Sequence, residues 1–345
     1  MSDLITSPTL QGSTFESVTD LTETGTAGKD VPKSSWALWK KFMVVGIFLV
    51  IAIPVAVVVG VTQAGKIGNK GGDGNNQTSI WQPTVGDSWQ IVLLQAIQID
   101  DNAVVTPDVK IYDLDVYDND AETITALQDS GKKVICYFSA GSWEDWRDDK
   151  DDFKKADLGK VLDGWANERW LDVRSDNVRK IMKKRIKFAA DKGCDAIDPD
   201  NVDGFQNDNG LHLTAEDAID FVKFLAETAA SYGMSTGLKN AGDIISDVLD
   251  YVHFSVNEQC IEYSECETFA AFIEAEKPVF NIEYPAGTPD KVASSVIKEI
   301  CSQSGNATGT DGFSTVIKNM NLDGWVEYCG DDETYTTELD TSTSA

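Results

Sequence analysis

The stretch 193-GCDAIDPDNVDGF-205 sets four carboxylates, Asp195, Asp198, Asp200 and Asp203, within nine residues. The segment CDAIDPD (194–200) has the length and composition of a short strand. On an extended strand Asp198 and Asp200 face the same way. Pro199 between them has no N–H to give to a ladder, so pairing is expected to stop there. A carboxylate cluster of this kind serves equally as a solvated loop, a cation site or half of a catalytic pair, and its place in the fold decides between them.

Seven other β-rich runs surround it: QIVLLQ (90–95), VKIYDLD (109–115), KVICYFSAG (133–141), MSTGLKN (234–240), YVHFSVNE (251–258), KPVFNIEY (277–284) and GFSTVIKN (312–319). Between several of them lie amphipathic stretches at 121–132, 175–194, 213–233 and 288–301. In the second, Val178, Ile181, Ile186 and Ala189 follow a period close to 3.6, with Ser175 or Asp176 as N-cap and Gly193 just past the end. The third opens on Thr214 and Asp217, a variant of the capping box, and the fourth has Pro289 in its first turn. Eight strands alternating with helices over roughly 250 residues predict an α/β fold, a (β/α)8 TIM barrel.

The barrel accounts for residues 80–331. Residues 1–41 are rich in Ser, Thr, Gly and Asp and read as a disordered tail. Phe42–Thr62 carries no charge for about 21 residues, enough to span a bilayer as a single transmembrane helix. Its distance from Met1 favours an uncleaved signal anchor over a cleaved signal. Residues 63–79 form a Gly/Asn-rich linker, and 332–345 a frayed Thr/Ser-rich tail. Lys33, Lys40 and Lys41 precede the apolar run, which leans toward a cytoplasmic N-terminus. The sequons at Asn76 and Asn306 and all six cysteines follow it, as an exterior or lumenal domain requires. Proximity in the chain suggests the pairs Cys260–Cys266 and Cys301–Cys329, against the alternative of buried free thiols.

The formal net charge is −28. Such a field repels nucleic acid and favours a cationic ligand, although it also suits simple solubility. With two histidines, His212 and His253, and no His/Cys ligand spacing, zinc is not indicated. DPDNVDG falls short of a calcium loop, no Gly-rich phosphate loop is present, and neither metal nor cofactor is expected.

Barrel chemistry sits at the C-terminal ends of strands. Those ends bear Asp113 and Asp115, Tyr137, Asp198 and Asp200, Lys239 and Asn240, Glu258, and Glu283. Two carboxylates on opposite walls of one cleft, Glu258 and Asp198 or Asp200, are what glycoside hydrolysis needs. Capping of the following helices and ion pairing to Lys239 are the structural alternatives. Trp143 stands in a Trp-rich insertion after the third strand, where an indole face can stack on a sugar or simply cap the core. Two rival functions remain: a non-catalytic cell-wall carbohydrate-binding protein on a TIM barrel, and a Schiff-base lyase using Lys239.

KVICYFSAGSWEDWR, GWANERWLDVRSDNVRKIM, GCDAIDPDNVDGF, LTAEDAIDF, GLKNA and SVNEQCIEYSEC occur in this order. Together they resemble glycoside hydrolase family 114, the endo-α-1,4-polygalactosaminidases, over about residues 80–285. The resemblance implies a TIM barrel that hydrolyses a cationic galactosamine polysaccharide. It implies a catalytic pair made of an Asp of DPDN, Asp200 or Asp198, and the Glu of VNEQC, Glu258. Asp113, Asp115, Tyr137, Trp143, Lys239, Asn240 and Glu283 would line the subsites.

Overall fold

The structure, a computed structural model, describes residues 80–99, 104–330 and 333–341. Eight strands run parallel in chain order: β1 (Trp89–Val92), β2 (Ile111–Asp115), β3 (Lys133–Ser139), β7 (Ala196–Asp200), β8 (Ser235–Lys239), β9 (Phe254–Glu258), β10 (Val279–Glu283) and β11 (Ser314–Ile317). Each falls within one residue of an expected run. The insertion after β3 forms its own antiparallel sheet from β4 (Ser142–Glu144), β5 (Leu158–Leu162) and β6 (Trp165–Leu171). Beyond β11, the hairpin strands β12 (Trp325–Tyr328) and β13 (Thr334–Thr336) add antiparallel to the sheet. The curled, parallel-rich sheet is TIM-barrel-like.

Side chains bring its two ends together. The Trp89 indole donates to Ser314 O (2.9 Å), the Gln90 amide to Gly324 O (3.0 Å), and the Tyr328 hydroxyl to Trp89 O (2.9 Å). Leu93 N–H reaches Leu322 O at 2.9 Å.

The strand period of two sorts the core into layers. One parity, Trp89, Ile91, Ile111, Ile135, Ala196, Phe254, Val256, Phe280, Ile282 and Val316, fills the inside of the curl. The other parity, including Tyr112, Leu114, Val134, Cys136, Ile197 and Leu238, packs under the helices. Removing one large inner ring, as in Phe254→Ala, would cost about 3–5 kcal/mol.

The principal helices are α1 (Ala121–Asp129), α2 (Asp176–Lys192), α3 (Ala215–Ser231), α4 (Ile245–Val248), α5 (Cys260–Tyr263), α6 (Cys266–Glu274) and α7 (Ser294–Ile300). Ser175 caps α2, and Gly193 ends it at φ 91°, a left-handed turn that a Cβ would disfavour. Thr214 and Asp217 form a full capping box on α3. The fourth helix is shorter than expected: α7 begins at Ser294, and the segment around Pro289 is turn. No described helix follows β1, and a hairpin stands where an eighth helix was expected.

Three disulfides form: Cys136–Cys194, Cys260–Cys266 and Cys301–Cys329. The first joins β3 to the start of β7 and was hidden by its separation of 58 residues. Among the described residues no helix is long and apolar enough to cross a membrane. The expected span 42–62, the tail before it, and the linker after it with the sequon at Asn76 lie outside those residues.

Candidate active site

The four carboxylates of the opening stretch part company. Asp195 precedes β7 at the far end from the mouth, where it accepts from Lys133 Nζ (2.6 Å) and Val134 N–H (3.0 Å). It fastens β3 to β7. Asp198 and Asp200 share the inward parity with Ala196, so both point into the curl. On the β8 side the ladder ends at Ile197, ahead of Pro199 as expected. On the β3 side it continues to Asp200, paired with Ser139, because the edge Pro199 presents there needs no N–H. Asp203 lies in the turn after β7, half-buried. Burial, then the charge of Asp200, pushes it up to about 6.

Lys239, at the inward end of β8, is the hub. Its Nζ lies 3.5 Å from Asp198, 3.9 Å from Asp200 and 3.7 Å from Glu258, above the Tyr137 ring at 5.2 Å. Burial alone would lower its pKa, but Asp200, Glu258, Asp198 and Asp113 together hold it well above the ordinary lysine value. It is an ammonium, which is not a nucleophile.

Glu258 ends β9. The Tyr284 hydroxyl donates to its Oε1 at 2.6 Å, and the Asn240 amide to its Oε2 at 3.0 Å. Its own N–H donates to Asn240 Oδ1 at 2.9 Å. Burial pushes the Glu258 carboxyl up, yet Lys239 and these hydrogen bonds outweigh it and hold the group below its ordinary value. Asp200 accepts from the Tyr137 hydroxyl (2.9 Å) and from Asn201 N–H (2.6 Å). Asp198 lies deeper: its side chain is 0% exposed, against 18% for Asp200 and 26% for Glu258. Asp200 and Glu258 are thus the carboxylates open to a ligand. Their facing oxygens are separated by at most the sum of their distances to Lys239 Nζ, about 8 Å. That bound spans the separations of both retaining and inverting glycosidases.

The backbone is shaped to present them. Asn201, Asn240 and Gln259, which follow Asp200, Lys239 and Glu258, all have positive φ (61°, 47° and 60°). Non-glycine residues in this region are uncommon, and such strain collects at functional sites. Gly141 allows the tight approach: a Cβ there would sit 1.7 Å from Asn201 O. The amide of Asn201 is tied to Ser139 (2.9 Å), and Ser139 contacts Ser142, which donates to Glu168 (2.6 Å).

The remaining expected site residues divide. Asp113 is inward but 0% exposed, beneath Asp198. Asp115 is taken up by Arg147, whose Nη1 and Nη2 reach its two oxygens at 3.1 and 2.5 Å. Trp143 is half-buried on the core with its indole donating to Lys150 O (3.1 Å), while Trp146 and Trp165 are exposed. Glu283 has the outward parity of β10 and accepts from Ile261 N–H at 2.9 Å, fixing α5. Its neighbour Tyr284 is the one that faces the site, and the parity of Phe280 and Ile282 already marked it. Among the described residues no group of three or more His, Cys, Asp or Glu could hold a metal ion.

The family model described as glycoside-hydrolase family GH114 matches residues 73–334. The chain is similar to Aspergillus fumigatus Ega3, whose crystal structure was solved in complex with galactosamine. The identity is 55%, covering 74% of this chain and 100% of that one, with a TM-score of 0.68. The glycoside hydrolase domain of PelA from Pseudomonas aeruginosa shares the fold at 13% identity, covering 73% of this chain and 99% of that one, with a TM-score of 0.52. No curated protein matches.

Proposed function

The chain belongs to glycoside-hydrolase family GH114, and we propose that this hydrolase cuts α-1,4 linkages within cationic, galactosamine-containing polysaccharide. The observation that carries the reading is the pairing of Asp200 and Glu258 across one ammonium, at 3.9 and 3.7 Å, from two strands with Lys239 between them. The galactosamine bound to the 55% identical Ega3 supports the substrate class.

In the proposed mechanism Asp200, hydrogen-bonded by Tyr137, acts on the anomeric carbon directly or through water. Glu258, held ionised in the free protein, takes up a proton in the complex and gives it to the leaving oxygen. Lys239 stays charged and holds both carboxylates in register. The fold is read as a (β/α)8 barrel in which a C-terminal hairpin replaces the eighth helix. The apolar run 42–62, together with three disulfides, supports a type II membrane-anchored protein whose catalytic domain faces an oxidising exterior or lumen.

The test is incubation of the protein with galactosamine polymer, followed by sizing of the products. A ladder of oligosaccharides is expected from internal cleavage. Polymer that is bound but not shortened would mean a carbohydrate-binding protein and sink the proposal. Borohydride trapping of a substrate adduct on Lys239 would point to a lyase instead.

A further inference from the structure

Under the candidate catalytic pair lies a second pair of acids with an unusual lack of donors. Both oxygens of Asp113 are buried without a hydrogen-bond donor from another residue, and Asp198, equally buried, has only the distant Lys239 ammonium at 3.5 Å. Each residue is 0% exposed. In register, Asp113 of β2 is flanked by Ile91 and Ile135, so neither neighbouring strand offers a donor at that level. Strand parity turns both side chains into the curl, with Asp113 at the level of Ala196 and Asp198 one inward step above it, and the charge of Asp198 bears on Asp113. Two such neighbours cannot both stay charged, because buried like charges repel. One proton between them removes the conflict: one acid donates and the other accepts.

Lys239 decides which acid keeps the proton. Its Nζ lies 3.5 Å from Asp198, while Asp113 has no ion pair among the described residues. The nearer cation favours ionised Asp198 and leaves the proton on Asp113. The charged and titratable groups around the pair are Tyr137 on β3, Asp198 and Asp200 on β7, Lys239 on β8 and Glu258 on β9. β1 adds none beside Asp113.

We propose that Asp113 is a positioning residue that stays protonated and donates to Asp198, so that the buried pair carries a single negative charge. A second charge there would draw Lys239 down, away from Asp200 and Glu258, and loosen the geometry between them. The direction of the shifts fits this order above about pH 7: burial, then Asp198, holds Asp113 well above the ordinary carboxyl value, while burial pushes Asp198 up to about 7 against the pull of Lys239. The inference rests on the reading of Asp200 and Glu258 as the working pair, but one arm of its test does not.

That arm is infrared spectroscopy above the range in which Asp198 titrates. The spectrum of the wild-type protein minus that of Asp113→Asn should show the band of one buried protonated carboxyl. A featureless difference overturns the proposal whatever the substrate proves to be.

The second arm is kinetic. Asp113→Ala should lower kcat roughly tenfold with KM changed less than about twofold, and Asp113→Asn should recover most of that loss, since an amide donates as a carboxylic acid does. The alkaline limb of the kcat profile should move up by at least about one pH unit in Asp113→Asn, because the amide cannot ionise. Equal losses in the two variants, or an unmoved alkaline limb, would overturn the role. Should Asp113→Ala fail to fold, the pH profile of Asp113→Asn decides alone. A wild-type protein inactive on the polymer would count against the proposed substrate, and the infrared difference would still judge Asp113.

Discussion

Two buried clusters of charge stand side by side in this molecule, and they are built in opposite ways. Beneath the β4–β6 insertion, Arg147 reaches both oxygens of Asp115 and, through Nε, Glu144 at 2.9 Å. Arg185 reaches Asp149 with Nε and Nη2 at 2.9 and 2.8 Å and Ser139 O with Nη1 at 2.7 Å. Directional guanidinium forks saturate the acids. At the mouth of β7–β9, one Lys239 ammonium faces Asp198, Asp200 and Glu258 at 3.5–3.9 Å, and no guanidinium fork closes on Asp198 or on Asp113 beneath it. The first cluster is complete. The second holds more negative charge than its own cation can match, and that surplus is what a cationic substrate or an oxocarbenium-like transition state can take up.

The largest expected effects follow from breaking the second cluster. Glu258→Gln and Asp200→Asn should each lower kcat about a thousandfold or more while leaving the melting temperature within a few degrees. Full activity in either variant, measured by product release, would remove that residue from the reaction. Breaking the first cluster should do the reverse. Arg147→Ala leaves Asp115 buried without its partner and should cost about 3–5 kcal/mol of stability. The double variant Asp115→Leu, Arg147→Met should regain most of it, because an apolar pair of similar bulk leaves no stranded charge. Calorimetry on the three proteins settles this, and a melting temperature unchanged by Arg147→Ala would show that the fork is ornamental.

Lys239→Met sharpens the contrast. The mouth acids can answer the loss of the cation by taking up protons, so stability should fall less than in Arg147→Ala. Activity should fall roughly 10- to 100-fold. Glu258 loses the charge that holds it below its ordinary value, so as the proton donor it should move the alkaline limb of kcat/KM to higher pH. An alkaline limb that stays in place would mean that the hydrogen bonds from Tyr284 and Asn240 suffice.

A gentler probe is pH itself. Asp203 is raised from its ordinary 3.8 to about 6, and Glu144, where burial outweighs both arginines, from 4.5 to about 7. A raised carboxyl keeps its proton longer in the folded state than in the unfolded one. Its contribution to stability is present below the unfolded value and lost as pH rises through the folded one. Unfolding free energy should therefore decline between about pH 4 and 7, by at most about 1.4 kcal/mol per unit for each such group. Urea titrations across that range test it, and Asp203→Asn should flatten the lower part of the slope.

The sequence carried the strands and much of the mouth because both follow from parity. Asp198, Asp200, Lys239 and Glu258 all sit at strand ends on the parity of the inner apolar residues. The same rule, applied one residue more carefully, would have replaced Glu283 by Tyr284. Asp115 could not have been sorted that way. It has the inward parity, and only the insertion's Arg147, 32 residues on, turns it from a candidate ligand into a structural anchor. Cys136–Cys194 escaped for a related reason: adjacency in a parallel sheet is set by strand order and not by distance along the chain. The capping signals of α2 and α3 were legible because they are local. The C-terminal hairpin was not, because no local signal says that it lies against β11.

The smallest effect concerns approach. With a formal charge of −28 and a partly open acidic mouth, the domain should draw a polycation by long-range attraction. Raising ionic strength from about 0.1 to about 1 M shortens the screening length from about 10 to about 3 Å. That should raise KM for deacetylated galactosamine polymer a few-fold. It should change kcat little, since charges in contact are screened less than distant ones. A fully N-acetylated polymer of the same length has no charge to steer and supplies the control. A salt response of equal size for both polymers would assign the effect to the chain's own acidic surface, and would confine the mouth's surplus charge to chemistry at close range.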